Sequence, residues 1–113
     1  HRVHRRQRQM CIRDSQKADL YFKKGLEFFP YDEILLLEYS LLKKNINQFK
    51  SALEILSKLK AISPTNIFAR ELIIDILITI NKKELAQKEW NEMVKSKNFD
   101  NNKLIEIRDK FRL

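Results

Sequence analysis

Apolar residues recur along this chain at spacings of three and four, and no stretch alternates apolar with polar between hairpin turns, so the pattern predicts helices throughout. Ala18 to Phe29 reads as a first helix, with Leu20, Phe22 and Leu26 among its apolar positions, and Pro30 stops it. Asp32 is placed to cap a helix from Glu33 to Lys44, because a short carboxylate there can accept from the free amides of the first turn. The Asn45-Ile46-Asn47 turn ends that helix. The next, from Gln48 to Ile62, carries Phe49, Ala52, Leu53, Leu56 and Leu59 on one stripe. The sequence of signals then restarts. Pro64 punctuates, Asn66 caps a helix from Ile67 to Ile80, Asn81 and Lys82 turn the chain, and Glu84 to Lys95 forms the returning helix. Asp100 is expected to cap a last helix bearing Leu104, Ile107 and Phe111.

The restart has a fixed register. Ala18, Ala52 and Ala86 are spaced by 34 residues, and the same spacing relates Asp32, Asn66 and Asp100, then Phe22, Leu56 and Trp90, then Pro30 and Pro64. Four columns in phase imply a repeated supersecondary unit. These residues resemble the tetratricopeptide repeat family, which places a small residue, an aromatic and a proline at fixed offsets in helix–turn–helix units of about 34 residues. The resemblance covers nearly all of 16–113. It implies an all-α solenoid of antiparallel helix–turn–helix hairpins: 16–30 the trailing helix of a truncated repeat, 31–64 and 65–98 full repeats, and 99–113 the leading helix of a third. Ala52 and Ala86 would sit where paired helices cross most closely, with Leu56 and Trp90 one turn later. Leu36, Tyr39, Ile73, Leu77, Leu104, Ile107 and Phe111 would form the packing face of the leading helices. The repeats are degenerate: Lys43, Arg70 and Arg108 fall where the family usually has apolar or small residues, and its leading-helix glycine is replaced by Ser40 and Ile74.

Residues 1–15 change the reading of composition. Arg5 to Ser15 resembles an in-frame translation of a transposon-end adapter used in sequencing libraries, so 1–15 is read as a non-native segment and 16–113 as a piece of a longer repeat array. The competing reading is a basic nucleic-acid-binding arm. Setting aside Arg2, Arg5, Arg6, Arg8, Arg13 and Asp14 lowers the net charge from +8 to +4. Cys11, His1 and His4 also lie in that segment, so 16–113 contains neither cysteine nor histidine. Thiol chemistry, a histidine base and an ordinary zinc site are therefore not expected there.

No cofactor or metal site is expected, nor catalysis: a glycine-rich phosphate loop and a nucleophile elbow are both missing from 16–113. Of the carboxylate pairs, Asp32/Glu33 is better explained by capping and Glu71/Asp75 by an i,i+4 pair on an open helix face. Tyr39 and Trp90, read as stacking platforms or as core, have the helical spacing of core. No apolar run approaches the roughly 20 residues of a membrane span, and the default expectation is a cytoplasmic location.

The resemblance implies that leading helices line a concave groove for a partner's peptide. Position by position, that groove would comprise Ile34, Leu37, Leu41 and Lys44, then Phe68, Glu71, Asp75 and Ile78, then Asn102, Ile105, Asp109 and Arg112. The family's carboxylate-clamp subgroup needs Lys, Arg and Asn at several of these positions, whereas this chain has Leu37, Glu71 and Asp75, so a receptor for a peptide C-terminus is not expected. The expected function is a non-catalytic protein–protein interaction module with a protein or peptide partner. Two alternatives stand beside it. One is the helical extension of a larger enzyme, such as a glycosyl- or sulfotransferase. The other is nucleic-acid binding through a convex face of Lys58, Lys60, Lys82, Lys83, Lys88, Lys95 and Lys97, which is read instead as solvated surface.

Overall fold

Helical periodicity is realised along the whole of the described chain. The structure is a computed structural model that describes residues 12–113. Its helices are α1 (Ile12–Phe28), α2 (Glu33–Asn45), α3 (Phe49–Ile62), α4 (Ile67–Thr79), α5 (Lys83–Ser96) and α6 (Asn101–Phe111), with no strand among the described residues.

Two of the expected caps form. Asp32 Oδ1 accepts from the amides of Ile34 and Leu35 at 2.9 and 3.1 Å. Asn66 Oδ1 accepts from Phe68 and Ala69 at 3.1 and 3.2 Å. Asp100 is a correction: its backbone is extended as an N-cap requires, but its side chain accepts no capping hydrogen bond.

The ends of α2 and α4 also match. Asn47 and Asn81 adopt left-handed backbone, with φ of 62° and 63°. Their amides donate to Lys44 and Ile78, and the following amides of Gln48 and Lys82 donate back to Lys43 and Leu77. This pair of bonds is the Schellman closure, and asparagine is the residue after glycine that enters it at least steric cost.

Short connections fold each helix against its predecessor, and α4 also contacts α2, α3 and α6. Being surrounded explains why Ile67–Thr79 is apolar on nearly every side: Ala69, Leu72, Ile73, Ile74, Ile76 and Leu77 are all buried. Around them pack Leu36, Ala52, Leu56, Leu59, Ala86, Met93, Leu104 and Ile107. Ala52, Ala86, Ser40 and Ile74 are all wholly buried. The single glycine of the chain, Gly25, lies where α1 meets α2; a Cβ there would stand 3.2 Å from Leu35 Cδ1.

Two expectations at α1 are corrected. The helix begins at Ile12 rather than Ala18, so it enters the 1–15 segment, and Ser15 is buried. A nucleated helix propagates through any residues without Pro or Gly, and Asp14 in the first turn favours it through the helix dipole. Residues 1–11, with the histidines and the cysteine, lie outside the described residues. Of the three apolar positions read on this helix, Leu20 is 58% exposed, whereas Phe22 stacks on Tyr39 at 5.4 Å and Leu26 packs on the core.

Arg70 is the most unusual core residue. Its side chain lies between α4 and α5, with Nε 2.5 Å from Glu89 Oε2 and both side chains buried. Nη1 donates to the Pro64 carbonyl at 3.0 Å, and the guanidinium stands 5.6 Å from the Phe99 ring centroid. Lys60 adds a second cation 2.9 Å from Glu89 Oε1. A basic residue in the interior is thus accommodated by a buried network that ties α3, α4 and α5 together.

Candidate partner groove

α2 and α4 lie in contact, and their first turns leave apolar side chains in solvent. Leu37, Leu41, Phe68, Glu71 and Asp75 line one depression of about 370 Å³, joined by Leu72 and by Lys103 from α6. A second, of about 600 Å³, shares Leu37 and Phe68 and adds Tyr31, Asp32, Glu33, Ile34 and Asn66. Ile34 and Phe68 are 68% and 63% exposed, so the floor is an apolar strip in water.

Charge is arranged unevenly along this strip. Asp75 pairs with Lys44 across the two helices. Glu71 Oε2 lies 3.0 Å from Lys110 Nζ, and that carboxylate, by hydrogen bond and by charge, holds the Lys110 ammonium above its ordinary pKa. Glu71 and Asp75, read from sequence as neighbours on an open face, are therefore neutralised by cations from two other helices. Lys44 is committed to Asp75.

The remaining expected groove residues lie elsewhere. Ile78 is half-buried against the core. Ile105 is 45% exposed but lines neither depression, and exposed Asp109 contacts its neighbour Arg108 at 3.3 Å. Asn102 and Arg112 are exposed and also line neither. Tyr31, Asp32, Glu33, Asn66, Leu72 and Lys103 line the depressions without having been expected there. Tyr31, Glu33 and Asn66 flank or form caps, which is the only signal they carried; Lys103 had none.

The other residues of the 34-residue register lie on or between the helices. Ala18 and Phe22 are half-buried on α1, Leu56 is wholly buried, Pro30 and Pro64 lie exposed between helices, and Trp90 Nε1 donates to the Leu104 carbonyl at 3.0 Å. Tyr39 is buried too. Of the lysines read as a convex face, Lys60 is taken up by Glu89 and Glu92, while Lys58, Lys82, Lys83, Lys88, Lys95 and Lys97 are exposed.

One further cluster joins α1 to α2. Tyr39 Oη donates to Asp19 Oδ1, Lys43 Nζ lies 2.8 Å from the same oxygen, and Lys23 Nζ lies 3.0 Å from Oδ2. Burial alone would raise the Asp19 pKa, but the hydrogen bonds from Lys43, Tyr39 and Lys23 outweigh it and hold the carboxyl at about 2. Burial and then the Asp19 carboxylate push the Tyr39 phenol well above its ordinary range. Both groups are moved away from neutrality, the reverse of what proton transfer at neutral pH needs.

Among the described residues no group of three or more His, Cys, Asp or Glu is placed to hold a metal ion, and no helix is long and apolar enough to cross a membrane. No protein-family model and no curated protein matches the chain.

Proposed function

We propose that this chain is a non-catalytic interaction module of tetratricopeptide-like helical repeats, which takes a peptide or a segment of a partner protein along the strip between α2 and α4. The observation that carries the reading is Leu37, Leu41 and Phe68 lining one depression while Asp75 and Glu71 beside it are neutralised by Lys44 and Lys110. An exposed apolar strip with a charged rim is the usual form of a protein-binding surface. The repeat reading is supported by the capping and Schellman bonds at Asp32 and Asn47, which recur at Asn66 and Asn81, 34 residues on.

Panning a displayed library of short random peptides on the full chain tests this. Peptides rich in apolar residues should be enriched, and Leu37→Asp or Phe68→Asp should remove them while a Lys82→Glu, Lys83→Glu double variant leaves them. Enrichment that survives both groove variants and fails with the lysine variant would place binding on the other face and overturn the proposal.

A further inference from the structure

The groove's two ends differ in how their charge is satisfied. At the Asp75 end each carboxylate has a lysine: Lys44 on Asp75 and Lys110 on Glu71. At the other end, Asp32, Glu33, Asn66 and the two aromatics Tyr31 and Phe68 surround the depression, and none of its lining residues is cationic. Asp32 spends its carboxylate on two backbone amides. Glu33 receives only a long contact, 3.4 Å, from the neutral Asn66 amide, which balances no charge. Tyr31 is 74% exposed, so its ring, like that of Phe68, is available to a ligand.

A carboxylate beside two open aromatic rings is complementary to one type of side chain. A guanidinium can stack on a ring while donating to the carboxylate, and an ammonium can do the same less well. The apolar strip running from Ile34 through Leu37 to Leu41 then asks for apolar side chains on the rest of the ligand. We infer that the occupant of this groove is a protein segment with an apolar stretch and a basic residue, arginine in preference to lysine, whose charge sits against Glu33 between Tyr31 and Phe68. The inference rests on the groove reading above and adds to it the polarity and chemical class of the partner.

The test is a charge swap, using the same displayed library of short random peptides on the full chain and on Glu33→Lys, Glu33→Gln and Phe68→Asp variants. On the unmodified chain, enriched peptides should share Arg or Lys at one fixed offset from their apolar residues. Glu33→Gln should weaken a synthetic copy of the best such peptide by about two- to fivefold, the scale of an exposed ion pair. Glu33→Lys should enrich Asp or Glu at that offset. Glu33 is exposed on the first turn of α2, and unchanged far-UV circular dichroism of the variants ensures that folding is not what is read. Apolar peptides lost with Phe68→Asp but showing no basic preference, or a basic preference unchanged in Glu33→Lys, would overturn the polarity inference and leave the groove standing. Absence of any enrichment that depends on Phe68 would overturn both.

Discussion

Arg70 of α4 and Glu89 of α5 face each other in the interior, Nε 2.5 Å from Oε2, with 7% and 9% of their side chains exposed. Such a pair is held by mutual attraction in a low dielectric and by its additional partners, here the Pro64 carbonyl for Arg70 and Lys60 for Glu89. Removing Arg70 takes away one of the two cations on Glu89 and leaves its Oε2 buried, with Lys60 on Oε1 alone. Arg70→Met should therefore destabilise the fold by about 3 kcal/mol in urea denaturation, and the double variant Arg70→Met, Glu89→Leu should recover most of that loss. A single variant as stable as the parent would mean that the two charges are solvated in solution.

The Asp19 cluster makes a pH prediction with a definite sign. Its folded-state carboxyl titrates at about 2, below the ordinary value of 3.8. Its contribution is accordingly complete above about pH 4 and lost as the pH falls through about 2. After solvent screening it amounts to about 1 kcal/mol. Tyr39→Phe removes one of the donors, and carboxyl-carbon NMR should then show Asp19 titrating closer to 3.8. An Asp19 that already titrates at 3.8 in the unmodified chain would contradict the cluster.

The caps separate into strong and weak. Asp32→Ala should cost about 1 kcal/mol, and Asn66→Ala about the same, because each removes a bond to first-turn amides. Asp100→Ala should cost distinctly less, since no such bond exists there. Equal losses at all three positions, read by thermal unfolding, would show that Asp100 caps α6 in solution.

Packing at the alanines is equally specific. Ala52→Leu and Ala86→Leu should each destabilise by about 1–3 kcal/mol through overpacking, because neither residue has any exposed surface. Ser57→Leu and Lys88→Leu, on exposed positions of the same helices, should change stability by no more than about 0.5 kcal/mol. Tolerance at both alanines would contradict the close crossing.

Much of this fold was legible because local signals agree with the packing. The apolar stripe of Gln48–Ile62 and the caps at Asp32 and Asn66 place helices to within a residue or two of where they lie. The start of α1 was not legible, because helix propagation through Ile12–Ser15 depends on the helix behind it and not on the origin of those residues. Arg70, a basic residue in an otherwise apolar helix, is unexplained until Glu89 is seen beside it, a partner that no fixed spacing announces. At the candidate groove, the resemblance grouped Leu37, Leu41 and Phe68, which line one depression, but gave no sign of the pairing of Asp75 with Lys44 and Glu71 with Lys110. Charges that meet across helices leave no period in the sequence.

The proposed use of the α2–α4 strip is tested most directly by mapping where a selected peptide touches the full chain, with amide chemical shifts followed during titration. The largest changes should fall on Ile34, Leu37, Leu41, Phe68 and Glu71, with Lys82, Lys83 and Lys88 unmoved. Saturable changes centred on those lysines, with the strip silent, would contradict it.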